Sequence, residues 1–133
     1  MTLVIDASVA VKWVLAEDAA DRAAALREQP DELIAPTLIA AEIGSAMRKH
    51  VAAKLLSVPE ALRAARTATA LLHRLVPDPE LIQRALELAI ELRHPIYDCV
   101  YLALAEREMC SLVTADQDLL AKAKRARIDA RHL

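Results

Sequence analysis

Apolar residues run without interruption from Leu3 to Ile5 and stop at Asp6. A half-exposed strand would alternate, so this run predicts a strand buried on both faces, as in the middle of a parallel sheet. Ala7 to Leu15 follows with a helix-compatible pattern, and Asp18 to Glu28 predicts a second helix, with Pro30 just past its end. Leu33-Ile34-Ala35 predicts a second strand closed by Pro36-Thr37. Thr37 then reads as the N-cap of a long helix whose apolar side takes Ile39, Ile43, Met47 and Val51. Gly44 within it costs about 1 kcal/mol against Ala, which suggests a site of close packing.

Ser57 followed by Pro59 and Glu60 has the form of a capping box and predicts a helix to about His73. Leu75-Val76 predicts a short third strand before Pro77-Asp78-Pro79. Glu80 to Leu92 repeats apolar residues at helical spacing and is broken at His94-Pro95. Pro95 opens the helix IYDCVYLALAERE, Ser111 to Thr114 predicts a further strand, Gln117 to Lys124 a last helix, and Ile128 the centre of a final edge strand. Strands separated by helices imply a single α/β domain over residues 1–133, with a parallel sheet covered on both faces.

Composition narrows the chemistry. Hydrophobic residues make up 56% of the 133, which fits one compact core, and aromatics only 2%, so that core is built from Ala, Leu, Ile and Val. A single glycine excludes both a P-loop and a dinucleotide fingerprint. The longest charge-free run, Leu33 to Ala41, is about half of what a membrane span needs, and no basic leader precedes an apolar run. A cytoplasmic location with no membrane partner is the expectation. Cys99 and Cys110 lack metal-site spacing and read as buried structural thiols. The net charge of −2 argues against a general nucleic-acid coat. It leaves room for an enzyme acting on nucleic acid, with the basic run Lys122 to Arg131 either a phosphate contact or a solvated helix end.

Four acids carry the candidate chemistry. Asp6 and Asp116 stand in matching places, each just past an apolar strand and before a helix, so both project from one edge of a parallel sheet. Asp98 is the only charge between Pro95 and Ala105, and Glu42 lies on the long helix; neither has Lys or Arg at helical spacing. Each has a simpler reading, as an N-cap, a first-turn acid or a solvated side chain. Carboxylates that converge, however, repel one another and take up protons unless a divalent cation relieves them. Oxygen ligands without His or Cys suit Mg²⁺ or Mn²⁺, and such an ion activates water for phosphodiester hydrolysis.

The segments VIDASVAVKW, IAAEIGSAM, PIYDCVYLALAE and LVTADQDL, in that order, resemble the PIN-domain ribonucleases, most closely the VapC-type toxins of bacterial toxin–antitoxin pairs. The resemblance implies a three-layer α/β/α PIN-like fold, with four to five short parallel strands flanked by about seven helices. It also implies a Mg²⁺-dependent endoribonuclease, Mn²⁺ being the other candidate ion, whose acidic quartet is Asp6, Glu42, Asp98 and Asp116. Asp6 and Asp98 would be the foremost direct ligands. Ser8 and Thr114 would orient carboxylates or water, with Asp118 as a further acid nearby. An RNA substrate, a homodimer and an antitoxin that blocks the site are implied by the same resemblance. The competing readings are a PIN-fold nuclease outside any toxin pair, a silent binding module of the same fold, and phosphoryl transfer through Asp6.

Overall fold

The computed structural model describes residues 1–133. Its sheet contains five parallel strands: β1 (Thr2–Ile5), β2 (Glu32–Pro36), β3 (Arg74–Val76), β4 (Ser111–Thr114) and β5 (Ala130–His132). Their order is β3-β2-β1-β4-β5. β1 is central, paired with β2 through Leu3 and Leu33 and with β4 through Val4 and Leu112. Having neighbours on both edges and helices on both faces, it has no use for alternation, and Val4 and Ile5 are fully buried.

Seven α-helices surround the sheet: α1 (Ala7–Ala10), α2 (Ala20–Glu28), α3 (Leu38–Ala52), α4 (Val58–Ala70), α5 (Ile82–Leu92), α6 (Ile96–Glu108) and α7 (Gln117–Arg125). Connections that run from β1 to β2 to β3 travel in one direction across the sheet. Those entering β4 and β5 travel in the other. Right-handed crossovers therefore set α1 to α4 on one face and α5 to α7 on the opposite one, which makes the three-layer α/β/α arrangement. α3 packs on α4, and α5 on α6. α6 carries the densest core: Cys99 to Ala105 are all buried, because this helix meets the sheet on one side and α5 on another.

Several local expectations shift for identifiable reasons. The first helix is one turn long and tightens to a 3₁₀ turn over Val11–Trp13, and α2 starts only after Ala19 takes a left-handed backbone. Thr37 precedes α3 but does not cap it with its side chain. Instead Asp78 Oδ1 accepts from Leu38 N at 2.9 Å, while Thr37 Oγ1 accepts from Asp78 N at 3.1 Å. α4 stops at Ala70, and His73 Nδ1 accepts the β2 amide of Leu33 at 2.8 Å. The last strand begins two residues beyond Ile128, after Arg127 turns through a left-handed conformation. Gly44 does not serve close packing, since a Cβ built there would meet no atom within 4 Å. Cys99 is buried as expected, but Cys110, just past the end of α6, is only half-buried.

Candidate active site

Where β1 and β4 lie side by side, the chain leaves toward opposite sides of the sheet. Such a reversal opens a crevice beyond the carboxyl ends of the strands. Asp6 follows β1 and Asp116 follows β4, and each is the N-cap of the next helix. Asp6 is only 5% exposed, so its charge requires donors. Ser8 Oγ donates to Oδ1 at 2.5 Å, Val9 N to the same oxygen at 3.3 Å, and Thr114 Oγ1 to Oδ2 at 2.6 Å. The two hydroxyls are themselves aimed by the β4–α7 turn: Ser8 Oγ accepts from Ala115 N at 2.9 Å and Thr114 Oγ1 from Asp116 N at 3.0 Å. Ser8 and Thr114 thus orient Asp6 and tie β1 to β4.

Glu42 lies one turn into α3. The side chain that meets it comes from α6, where Tyr101, buried to 1% exposure, donates its phenol to Glu42 Oε1 at 2.5 Å. Asp98 stands one turn before Tyr101 on α6, and His94 Nε2 donates to its Oδ2 at 2.7 Å. Asp98 therefore does have a local partner, one that a search for Lys and Arg passes over. His94 sits in the α5–α6 turn with its side chain 6% exposed, and its Nδ1 lies 3.7 Å from Asp118 Oδ2. Asp118 is otherwise solvated, with its side chain 67% exposed.

Asp6, Glu42 and Asp98 share one electrostatic field. Burial pushes the carboxyl of Asp6 above its ordinary range, the Ser8 and Thr114 hydroxyls pull it back in part, and the charge of Asp98 adds to the rise. Burial likewise raises Glu42, against the bond from Tyr101, and the charges of Asp98, Asp6 and Asp78 raise it further. Burial and the neighbouring Glu42 drive the Tyr101 phenol upward, so it remains a donor. No ion pair joins a Lys or Arg to any of the four acids.

Asp116 is placed differently. Its Oδ1 accepts from Asp118 N at 2.9 Å and Leu119 N at 3.4 Å, so this oxygen caps α7, and its link to Asp6 runs through the Thr114 hydroxyl. No three His, Cys, Asp or Glu side chains stand close enough to form a ready-made cage for a bare metal ion. An all-oxygen set in which three acids repel one another, without a Lys or Arg opposite, fits a hydrated divalent ion that keeps several of its waters. The basic residues Lys122, Lys124 and Arg125 occupy the last turn of α7, at the far end of that helix from Asp116, where they complement its dipole. None of the helices is long and apolar enough to cross a membrane.

Residues 3–125 match the PIN domain family. A VapC ribonuclease of Mycobacterium bovis is 33% identical over 114 residues, which is 86% of this chain and 85% of that protein. Ribonuclease VapC9 of Mycobacterium tuberculosis shows the same identity and coverage. Among solved structures, PAE2754 from Pyrobaculum aerophilum superposes with a TM-score of 0.72 at 27% identity, covering 92% of this chain and 79% of the other. VapC20 of Mycobacterium tuberculosis, described as a toxin that cleaves the sarcin–ricin loop, superposes with a TM-score of 0.70 at 17% identity, covering 90% and 93%. At that identity the likeness concerns the fold alone.

Proposed function

The chain belongs to the PIN domain family, and from that premise we propose that it is a Mg²⁺-dependent endoribonuclease, the toxin of a VapC-type pair. The observation that carries the reading is the shared field of Asp6, Glu42 and Asp98: burial and the charge of Asp98 raise the proton affinity of both Asp6 and Glu42, with no Lys or Arg opposite. A bound Mg²⁺, or Mn²⁺ in its place, would acidify a water and neutralise charge on the scissile phosphate. Asp6 and Asp98 would hold it directly, with Glu42 and Asp116 as the remaining acids.

The chain's own residues prepare that site. The hydroxyls of Ser8 and Thr114 fix both oxygens of Asp6, and His94 fixes one oxygen of Asp98. Tyr101 fixes Glu42 Oε1 and leaves Oε2 free. Glu42, whose proton affinity is already raised, takes the proton of the attacking water at Oε2. The toxin role, with an antitoxin that covers the acids, rests on the kinship with VapC ribonucleases. For the homodimer, support comes from Ile82, Leu86 and Ile90, which are exposed at four-residue spacing along one side of α5 and offer an apolar face to a second copy.

The test is cleavage of total cellular RNA by the purified chain, with new 5′ ends mapped by sequencing. Cleavage is expected with Mg²⁺ and is expected to vanish with chelation and in Asp98→Asn. Cleavage that survives both would overturn the mechanism. A silent binding module of the same fold instead predicts no new 5′ ends and no saturable heat on Mg²⁺ titration.

A further inference from the structure

A groove of about 330 Å³ opens directly off the acid site, between α1 with its following 3₁₀ turn and α3. One wall carries Ser8 and Val11; the other carries Glu42, Ser45, Lys49 and His50. Glu42, Ser45 and Lys49 are spaced by three and four residues, so they line one face of α3 and span about 10 Å along its axis. The groove therefore begins at two residues of the acid site and ends at a cation.

The chemistry changes in order along that face. At the near end stand the Glu42 carboxylate and the Ser8 hydroxyl, and Val11 and Ala46 give an apolar floor midway. At the far end Lys49 is exposed and makes no ion pair. The wall behind it is fixed. Glu17 Oε2 receives Lys12 Nζ at 3.4 Å, Glu17 Oε1 lies 3.4 Å from His50 Nε2, and His50 Nδ1 donates to Ala46 O at 2.9 Å. This clamp joins the segment after the 3₁₀ turn to the last turn of α3, so the groove exists before anything binds. It also occupies Lys12 and His50, leaving Lys49 as the lysine on this wall that is free to meet an anion.

We propose that this groove is a nucleotide subsite: it holds the single-stranded RNA segment next to the scissile phosphate, with Val11 and Ala46 against sugar or base and Lys49 on the neighbouring phosphate. The proposal rests on the ribonuclease reading and adds to it which side of the acids the strand occupies. An apolar floor with one cation at its end suits a nucleotide, which presents a flat apolar face and an anionic link. The carboxylates at the other end would repel that anion without a metal ion, so the strand has a fixed polarity of charge to follow.

The experiment uses the full chain carrying Asp98→Asn, to prevent turnover, and a fluorescein-labelled single-stranded RNA of mixed sequence, read by fluorescence anisotropy in Mg²⁺ across a salt series. Lys49→Met is expected to weaken binding about five- to tenfold and to lower the salt slope by about one. Ser45→Phe, an exposed position whose new ring fills the groove, is expected to weaken binding as much without changing the slope. Arg66→Met, which removes an equal charge from α4 outside the groove, is expected to leave affinity within twofold. Equal loss in Lys49→Met and Arg66→Met would mean a diffuse field and overturn the subsite, as would unchanged binding in Ser45→Phe. The 5′-end mapping of wild-type chain tests the ribonuclease reading separately: cleavage together with unaltered binding by both groove variants rejects the subsite alone, while absence of cleavage rejects both.

Discussion

Tyr101 reaches across from α6 to donate its phenol to Glu42 of α3 at 2.5 Å, so the acid on one face of the molecule is held by a helix from the other. The bond crosses the carboxyl edge of the sheet and sets which oxygen of Glu42 faces the crevice. Tyr101→Phe keeps the buried ring and removes only that donor. It is expected to lower kcat/KM for RNA about tenfold, equivalent to about 1.4 kcal/mol of transition-state stabilisation. Mg²⁺ titration by calorimetry should still give saturable binding, because Asp6 and Asp98 keep their own donors.

The raised carboxyls of Asp6 and Glu42 make stability depend on pH in a definite direction. A carboxyl whose folded pKa exceeds its unfolded value leaves the folded state holding more protons, so stability falls as pH rises through that interval. The fall begins near the ordinary carboxylate range and ends above the raised values. A bound divalent cation offsets the repulsion only when the acids are ionised. Thermal unfolding followed by circular dichroism should therefore show a larger rise in Tm with Mg²⁺ at pH 8 than at pH 5. Glu42→Gln, which removes one of the repelling charges, should raise the metal-free Tm at pH 8.

Asp116 combines a cap with a place beside the site, and two substitutions separate these contributions. Asp116→Ala removes the acceptor for Asp118 N and Leu119 N and is expected to cost about 1 kcal/mol in denaturant unfolding. Asp116→Asn retains a capping oxygen and is expected to stay within about 0.5 kcal/mol of wild type. If Asp116 serves the metal as well as the helix, the Asn variant loses RNA cleavage while keeping its stability. Full cleavage by Asp116→Asn would restrict this residue to the cap.

Gly44 offers a change that should only improve the fold. It lies within α3, in helical backbone, and a Cβ there meets open space. Gly44→Ala is expected to add about 1 kcal/mol, through the entropy of the unfolded chain and the better helix propensity of Ala. For a domain of this size that corresponds to about 3–5 °C in Tm.

The parts of the molecule legible in the sequence are those in which one short segment contains its own explanation. β1 and β4 announce themselves as apolar runs ending in an acid, which locates Asp6, Ser8, Thr114 and Asp116 on one edge before any coordinates. The capping box at Ser57 and Glu60 is equally local, and both of its bonds are present. The contacts with no local signature join residues far apart. Tyr101 and Glu42 are 59 positions apart, and Thr37 and Asp78 are 41, so neither pair leaves a mark in any window of the chain. His94 lies four residues before Asp98, but it is a histidine, which donates without a full charge and so leaves no Lys or Arg signal at helical spacing. Gly44 is ambiguous in sequence because the lack of a side chain is the same signal whether the space around it is filled or empty.

The donor that fixes Asp6 Oδ2 lies 108 positions away, on the fourth strand to be made. A growing polypeptide that has emerged from the ribosome only as far as α6 carries Asp6, Glu42 and Asp98, but β1 has an open edge and the first of these acids lacks its Thr114 clasp. The full set of oxygen contacts on that carboxylate thus waits until β4 has been made and has docked beside β1.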